Sequence, residues 1–183
     1  MRQATVKRRW APDRYAETAR QLVERHGARI VVNAGNAVEA REAARIIGPL
    51  AGRGARLLDR LPLGRLAAVI QQLSALITVD TGPMHMATAL GTPTVVLHGP
   101  TDHRLTGPWR PAGPVTMLWR GLDCSPCRGG GMRVPCADNQ CLKQITPNDV
   151  VAATTDLMTR PRSQDAGTGR PQFTWPLATP ANA

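Results

Sequence analysis

The chain has 183 residues, room for one well-buried domain and too little for two of ordinary size. With 42% hydrophobic and 20% charged residues it has a globular composition, which excludes a wholly disordered chain. The net charge is +10, but only Lys7 and Lys143 are lysine, and the aromatics (Trp10, Tyr15, Trp109, Trp119, Phe173, Trp175) are scattered. A single-strand nucleic-acid binder interleaves stacking rings with its basic residues, so no nucleic acid is expected and a phosphate-bearing small ligand fits the charge as well.

Strands and helices alternate along the chain. Residues 13–26 place Tyr15, Ala19, Leu22 and Val23 at helical spacing, with Gly27 at the stop position. Residues 30–33 read as a short buried strand and 37–48 as a second helix ending at Gly48-Pro49. Leu57-Leu58 is a candidate strand, and 66–73 a short helix. Leu76-Ile77-Thr78-Val79 is an apolar strand followed by the turn Asp80-Thr81-Gly82, then a helix over 84–90 and a strand over 94–97. This order predicts a single doubly wound α/β domain with a parallel sheet, Asp80 and Gly99 at one edge of it. Residues 99–113 read as loop, 115–119 as a last strand, 122–142 as a cysteine-bearing loop, and 148–158 as a closing helix. The domain is assigned to residues 1–159, and 160–183, rich in Pro, Gly, Ser and Thr, to a disordered tail.

No run approaches the ~18 apolar residues of a membrane span. Lys7-Arg8-Arg9 has no apolar stretch behind it, so no secretory signal is visible and a cytoplasmic location is expected.

The most informative stretch is LITVDTGPMHMATALGTPTVVLHGPTDHRLT, residues 76–106. Asp80-Thr81-Gly82 lies where an open α/β sheet binds ligands, outside the carboxyl end of a strand. Backbone N–H groups of Thr81 and Gly82 can face an anion with the helix dipole behind them, Pro83 suits the first turn, and His85 can add a donor. A second reading stays open on chemistry alone: Asp80 caps the helix and His85 packs on the surface. The sequence VDTGPMHMATALGTPTVVLHGPTD resembles the donor-site motif of glycosyltransferase family 9, the lipopolysaccharide heptosyltransferases. RRWAPDRYAETARQL, NAGNAVEAREAARII and CADNQCLKQITPNDVVAA are similar to further segments of that family, so the likeness runs over about residues 5–158.

The resemblance implies the C-terminal, Rossmann-like half of a GT-B enzyme, binding a nucleotide sugar of the ADP-heptose type. Such an enzyme inverts the sugar by direct attack of a hydroxyl of the lipopolysaccharide-core acceptor, with no required cofactor. It implies Asp80, Thr81, Gly82 and His85 on the diphosphate-sugar, Glu39 on the adenosine ribose, and Lys7 or Arg8 on phosphate. Leu63 falls where the family lines its adenine pocket, with ordinary core packing as the other reading. The general base would come from an N-terminal half that these 183 residues do not contain, which implies a truncated gene, a mis-called start, or half of a split enzyme whose other half is separately encoded. A peripheral seat at the inner face of the cytoplasmic membrane accords with that acceptor. The other functional expectations are a non-catalytic remnant that binds a nucleotide sugar, and a four-cysteine zinc module that binds nucleic acid.

Cys124, Cys127, Cys136 and Cys141 give C-x2-C-x8-C-x4-C, with no cysteine elsewhere. Two such pairs folded together can hold Zn2+ tetrahedrally, and the Arg-Gly-Gly-Gly between them permits tight turns. Free thiols in a reducing compartment are the alternative.

Overall fold

In the computed structural model, residues 9–127 and 138–160 are described. Lys7, Arg8, Cys136 and the segment assigned to a tail beyond Arg160 lie outside them. Five strands form: β1 (Ile30–Ala34), β2 (Ala55–Asp59), β3 (Leu76–Val79), β4 (Thr94–Leu97) and β5 (Val115–Leu118). Every pairing is parallel. β1 pairs with β2, β3 with β4, and β4 with β5. Among the described residues these make two ladders, β1-β2 and β3-β4-β5, rather than one continuous hydrogen-bonded sheet.

Helices α1 (Pro12–His26), α2 (Ala37–Ile47), α3 (Leu63–Gln72), α4 (Gly82–Ala89), α5 (His103–Thr106), α6 (Gln140–Lys143) and α7 (Pro147–Thr159) connect and cover the strands. α2 packs on β1 and β2, α7 on β4 and β5, and α1 lies against both α2 and α7, so one helical layer runs across the two ladders. α4 packs on β3 and β4 with α3 beside it. The main core collects Trp10, Val95, Leu97, Leu142, Ile145, Val150 and Leu157 between β4 and α7. Trp10 is anchored there by its indole N–H, which donates to the Ile145 carbonyl at 3.0 Å.

Local chemistry explains the helix ends. α1 stops at Gly27, whose φ of 60° is the left-handed conformation that glycine adopts without a Cβ penalty. Asn36 caps α2, its side chain accepting from the Val38 and Glu39 amides. Thr146 and Asp149 form a reciprocal capping box at the start of α7.

The structure departs from the sequence reading in a few places. α3 begins at Leu63, three residues before the predicted start, because Pro62 has no N–H to lose at a helix entrance and the residues after it continue the turn. Residues 99–113 hold the short helix α5, and the cysteine-bearing segment holds α6. Both are single turns, too short to show a 3.6-residue period.

Candidate functional site

Because β3 and β4 are parallel, the turns that leave them lie at the same edge. At that edge Asp80 follows β3, and His98 to Asp102 follows β4. Asp80 is only 7% exposed. A carboxylate so far from water needs donors. Thr101 Oγ1 donates to Asp80 Oδ2 at 2.6 Å, and Thr106 Oγ1 to the same oxygen at 2.9 Å. Asp80 therefore does not serve as the helix cap.

The N-cap position of α4 belongs to Thr81, and it too gives no side-chain cap. Its hydroxyl turns back to the Val79 carbonyl at 3.2 Å. The amino end of α4 is thus left without a side-chain oxygen over its amides, the arrangement in which a helix terminus can take an external anion. Thr81 and Gly82 are exposed there, and so is His85 on the first turn. Pro83 occupies the position where a missing N–H costs nothing.

The turn after β4 is held from behind. Ser125 Oγ donates to the Gly99 carbonyl at 2.8 Å and the Cys127 amide to the Pro100 carbonyl at 2.9 Å. A Cβ on Gly99 would stand 2.9 Å from Leu142 Cγ, closer than ordinary carbon contact, so this position takes the residue without a side chain. His98 is fully buried. Its ring meets that of His103 edge-on, and His103 in turn packs on Trp119 with 4.4 Å between centroids. Burial pushes the His103 imidazole below its ordinary pKa, which favours the neutral ring.

Glu39 lies on the other ladder, on the first turn of α2. It accepts from the Gly35 amide at 2.8 Å, and Arg9 Nη2 stands 3.7 Å from its second oxygen. Arg9 also grips Glu42, one guanidinium nitrogen reaching both carboxylate oxygens at 2.8 Å. Leu63 is 71% exposed at the start of α3, beyond the carboxyl end of β2, so ordinary core packing does not describe it.

The cysteines do not assemble among the described residues. Cys124 is exposed, Cys127 half-buried and Cys141 buried. Cys141 belongs to the core beside Trp10 and Ile145, with Sγ 3.4 Å from Asn139 Oδ1. No group of three potential ligands placed to hold a metal ion occurs among the described residues. Nor does any helix there have the length and apolarity to cross a membrane.

Sequence reasoning thus named Asp80, Thr81, Gly82, His85 and Glu39, and the structure places the first four at one strand end and Glu39 at another. It missed Thr101, Thr106 and Arg9. The repeat of a Thr-bearing turn after the second strand was a usable signal for Thr101; Thr106 has none in the linear sequence.

The model of glycosyltransferase family 9 (heptosyltransferase) matches residues 2–137, most of the chain. The chain belongs to glycosyltransferase family 9. It is 34% identical over 122 residues to lipopolysaccharide heptosyltransferase 1 of Pseudomonas aeruginosa, covering 67% of this chain and 33% of that protein. It is 26% identical over 154 residues to lipooligosaccharide heptosyltransferase 2 of Campylobacter jejuni, covering 83% of this chain and 48% of the relative. Among solved structures, the E. coli ADP-heptose lps heptosyltransferase II superposes with a TM-score of 0.66 at 28% identity, over 82% of this chain and 42% of that one. This family 9 chain therefore spans between a third and a half of the length of these relatives, and its α/β fold matches part of a GT-B heptosyltransferase.

Proposed function

We propose that this chain is the donor-binding part of an inverting heptosyltransferase, taking a nucleotide sugar of the ADP-heptose type for transfer to a lipopolysaccharide-core hydroxyl. The observation that carries this reading is the uncapped amino end of α4 beside buried Asp80, at the carboxyl edge of a parallel sheet. The names of its relatives accord with it, since one of them is the E. coli ADP-heptose lps heptosyltransferase II.

The chemistry divides naturally among the residues. The diphosphate is anionic, so it belongs to the Thr81 and Gly82 amides, the helix dipole and His85. A carboxylate repels phosphate oxygens and accepts from hydroxyls, so Asp80 belongs against the sugar. Glu39, on the neighbouring ladder, suits the hydroxyls of the nucleoside ribose. Lys7 or Arg8 would add a cation to the phosphates, Arg gripping in bidentate fashion where Lys acts as a point charge.

In the transfer, the acceptor hydroxyl attacks the anomeric carbon while the bond to the diphosphate breaks, and negative charge grows on the departing nucleotide. Fixed donors at the amino end of α4 stabilise that charge as it develops. The proton on the attacking hydroxyl needs a base and the acceptor needs orienting, and we assign both to the remainder of the enzyme. Without them the chain binds donor and turns it over at a rate lowered by at least ~10²–10⁴-fold.

Titration calorimetry with ADP-heptose, ADP and a DNA duplex tests the reading. Saturable binding of the first two that DNA does not displace supports it. Failure of both nucleotides to bind, or displacement by DNA with a steep salt dependence, overturns it.

A further inference from the structure

We propose that Thr101 and Thr106 are positioning residues for the donor sugar: their paired hydroxyls fix the Asp80 carboxylate in the orientation that receives the sugar's hydroxyl groups. The inference rests on the donor-site reading above and adds to it two residues that touch neither the nucleotide nor the reacting bond.

The geometry fixes a buried carboxylate from two sides of one turn-bearing edge. Both hydroxyls converge on a single oxygen, Oδ2, at 2.6 and 2.9 Å, from residues 21 and 26 positions later in the chain. Hydroxyl donors to an ionised acceptor are among the stronger hydrogen bonds, and two on one oxygen lock the carboxylate against rotation about its last torsion. Both donors come from the segment that leaves β4, the strand beside Asp80's own, so the carboxylate's direction is set by tertiary structure and not by the turn that carries it.

The donors are themselves held. Thr101 follows Gly99 and Pro100, whose carbonyls are bound by Ser125 and Cys127. Its hydroxyl also lies 3.5 Å from Nε2 of buried His98. Thr106 closes α5, with the Asp102 carbonyl 3.2 Å away as a second acceptor for its hydroxyl. Asp102 caps the start of the same helix through the Arg104 amide at 3.0 Å. With both hydroxyls on Oδ2, the direction of Oδ1 is set as well.

The test compares ADP-heptose with ADP on the full chain, in Thr101→Val, Thr106→Val, the double variant, and the two Thr→Ser variants. Valine keeps the shape and removes the donor; serine keeps the donor. Thr155→Val serves as a control, because that hydroxyl bonds only carbonyls of its own helix. Circular dichroism reads whether each variant folds. We expect each valine to weaken ADP-heptose binding about tenfold, the free-energy scale of one hydrogen bond to a charged group. ADP affinity stays within about twofold of the parent, and both serines restore ADP-heptose binding, because the sugar alone meets Asp80. Equal weakening of both ligands, or of neither, overturns the positioning role while leaving the donor site standing. So do valine variants that unfold while the serine variants fold but bind the sugar as poorly as a chain lacking Asp80. A parent chain that binds neither ligand overturns the donor site and this inference together.

Discussion

The two ladders of the sheet treat their acidic residues differently. On the β3-β4-β5 side, β4 is buried along its whole length and Asp80 is held by hydroxyls more than twenty residues away in sequence. On the β1-β2 side, burial alternates, Val31 is 39% exposed, and Glu39 is held by the amide of Gly35 in its own turn together with Arg9. A buried carboxylate has to be oriented by the assembled fold. A half-exposed one can be oriented by the start of its own helix. The first is therefore sensitive to changes anywhere in its supporting loops, and the second mainly to local ones.

The largest effect expected from this contrast is on stability. Trp10→Ala removes an indole that is 2% exposed in the core under β4 together with its bond to Ile145, and should cost about 3–5 kcal/mol in urea unfolding. Val31→Ala on the other ladder should cost less than about 1 kcal/mol, since much of that side chain already meets solvent. Similar losses for the two would erase the distinction.

Next come the ligand effects. Asp80→Ala should weaken nucleotide-sugar binding by about 1–3 kcal/mol in calorimetry, as expected for a lost charge-assisted hydrogen bond. Glu39→Ala should weaken nucleoside binding by less than about 1 kcal/mol and leave pyrophosphate binding unchanged, because a half-exposed acceptor competes with water. A Glu39 effect larger than that of Asp80 would reverse the assignment of the sugar to the buried residue.

The smallest effect is on pH dependence. The Arg104 guanidinium and amide beside Asp102 hold its carboxyl at about 2, below its ordinary value near 4. The ionised form thus favours the folded chain. Its contribution is complete above pH about 4 and is lost as pH falls through about 2. Asp102→Asn should flatten acid unfolding slightly in that window, and a thermal-melt series from pH 5 to pH 2 reads it directly. An unchanged acid limb would mean that α5 does not depend on this cap.

The strands and long helices were legible because their residues carry their own signals. TVVL is uniformly apolar and β4 is uniformly buried, while Gly27 ends α1 where the periodic pattern stops. Asp80, Thr81 and Gly82 were legible as a turn between an apolar strand and a Pro-started helix. The turn that carries Thr101 was legible too, but its bond to Asp80 was not, and Thr106 carried no signal at all, because a threonine's role in holding a carboxylate exists only once β3 and β4 lie side by side. Arg9 was hidden among three consecutive basic residues, and only the fold shows it on Glu42 and Glu39. For Leu63 the sequence left core packing and the family's adenine-pocket position both open, and it opens α3 after Pro62 and faces solvent.

The contact between Gly99 and Leu142 has a consequence for where the domain ends. The family match stops at residue 137, yet Leu142, Ile145, Val150 and Leu157 are at most 2% exposed and supply much of what covers β4. Burying four such side chains contributes about 1.5–3 kcal/mol apiece, together comparable to the entire net stability of about 5–15 kcal/mol of an ordinary domain. A chain shortened to residue 139 should therefore not fold at all, although it would keep every residue assigned to the ligand. One ending at 160 keeps this cover intact. The smallest unit that can fold is longer than the segment the family model outlines, and its last helices belong to the site's foundation.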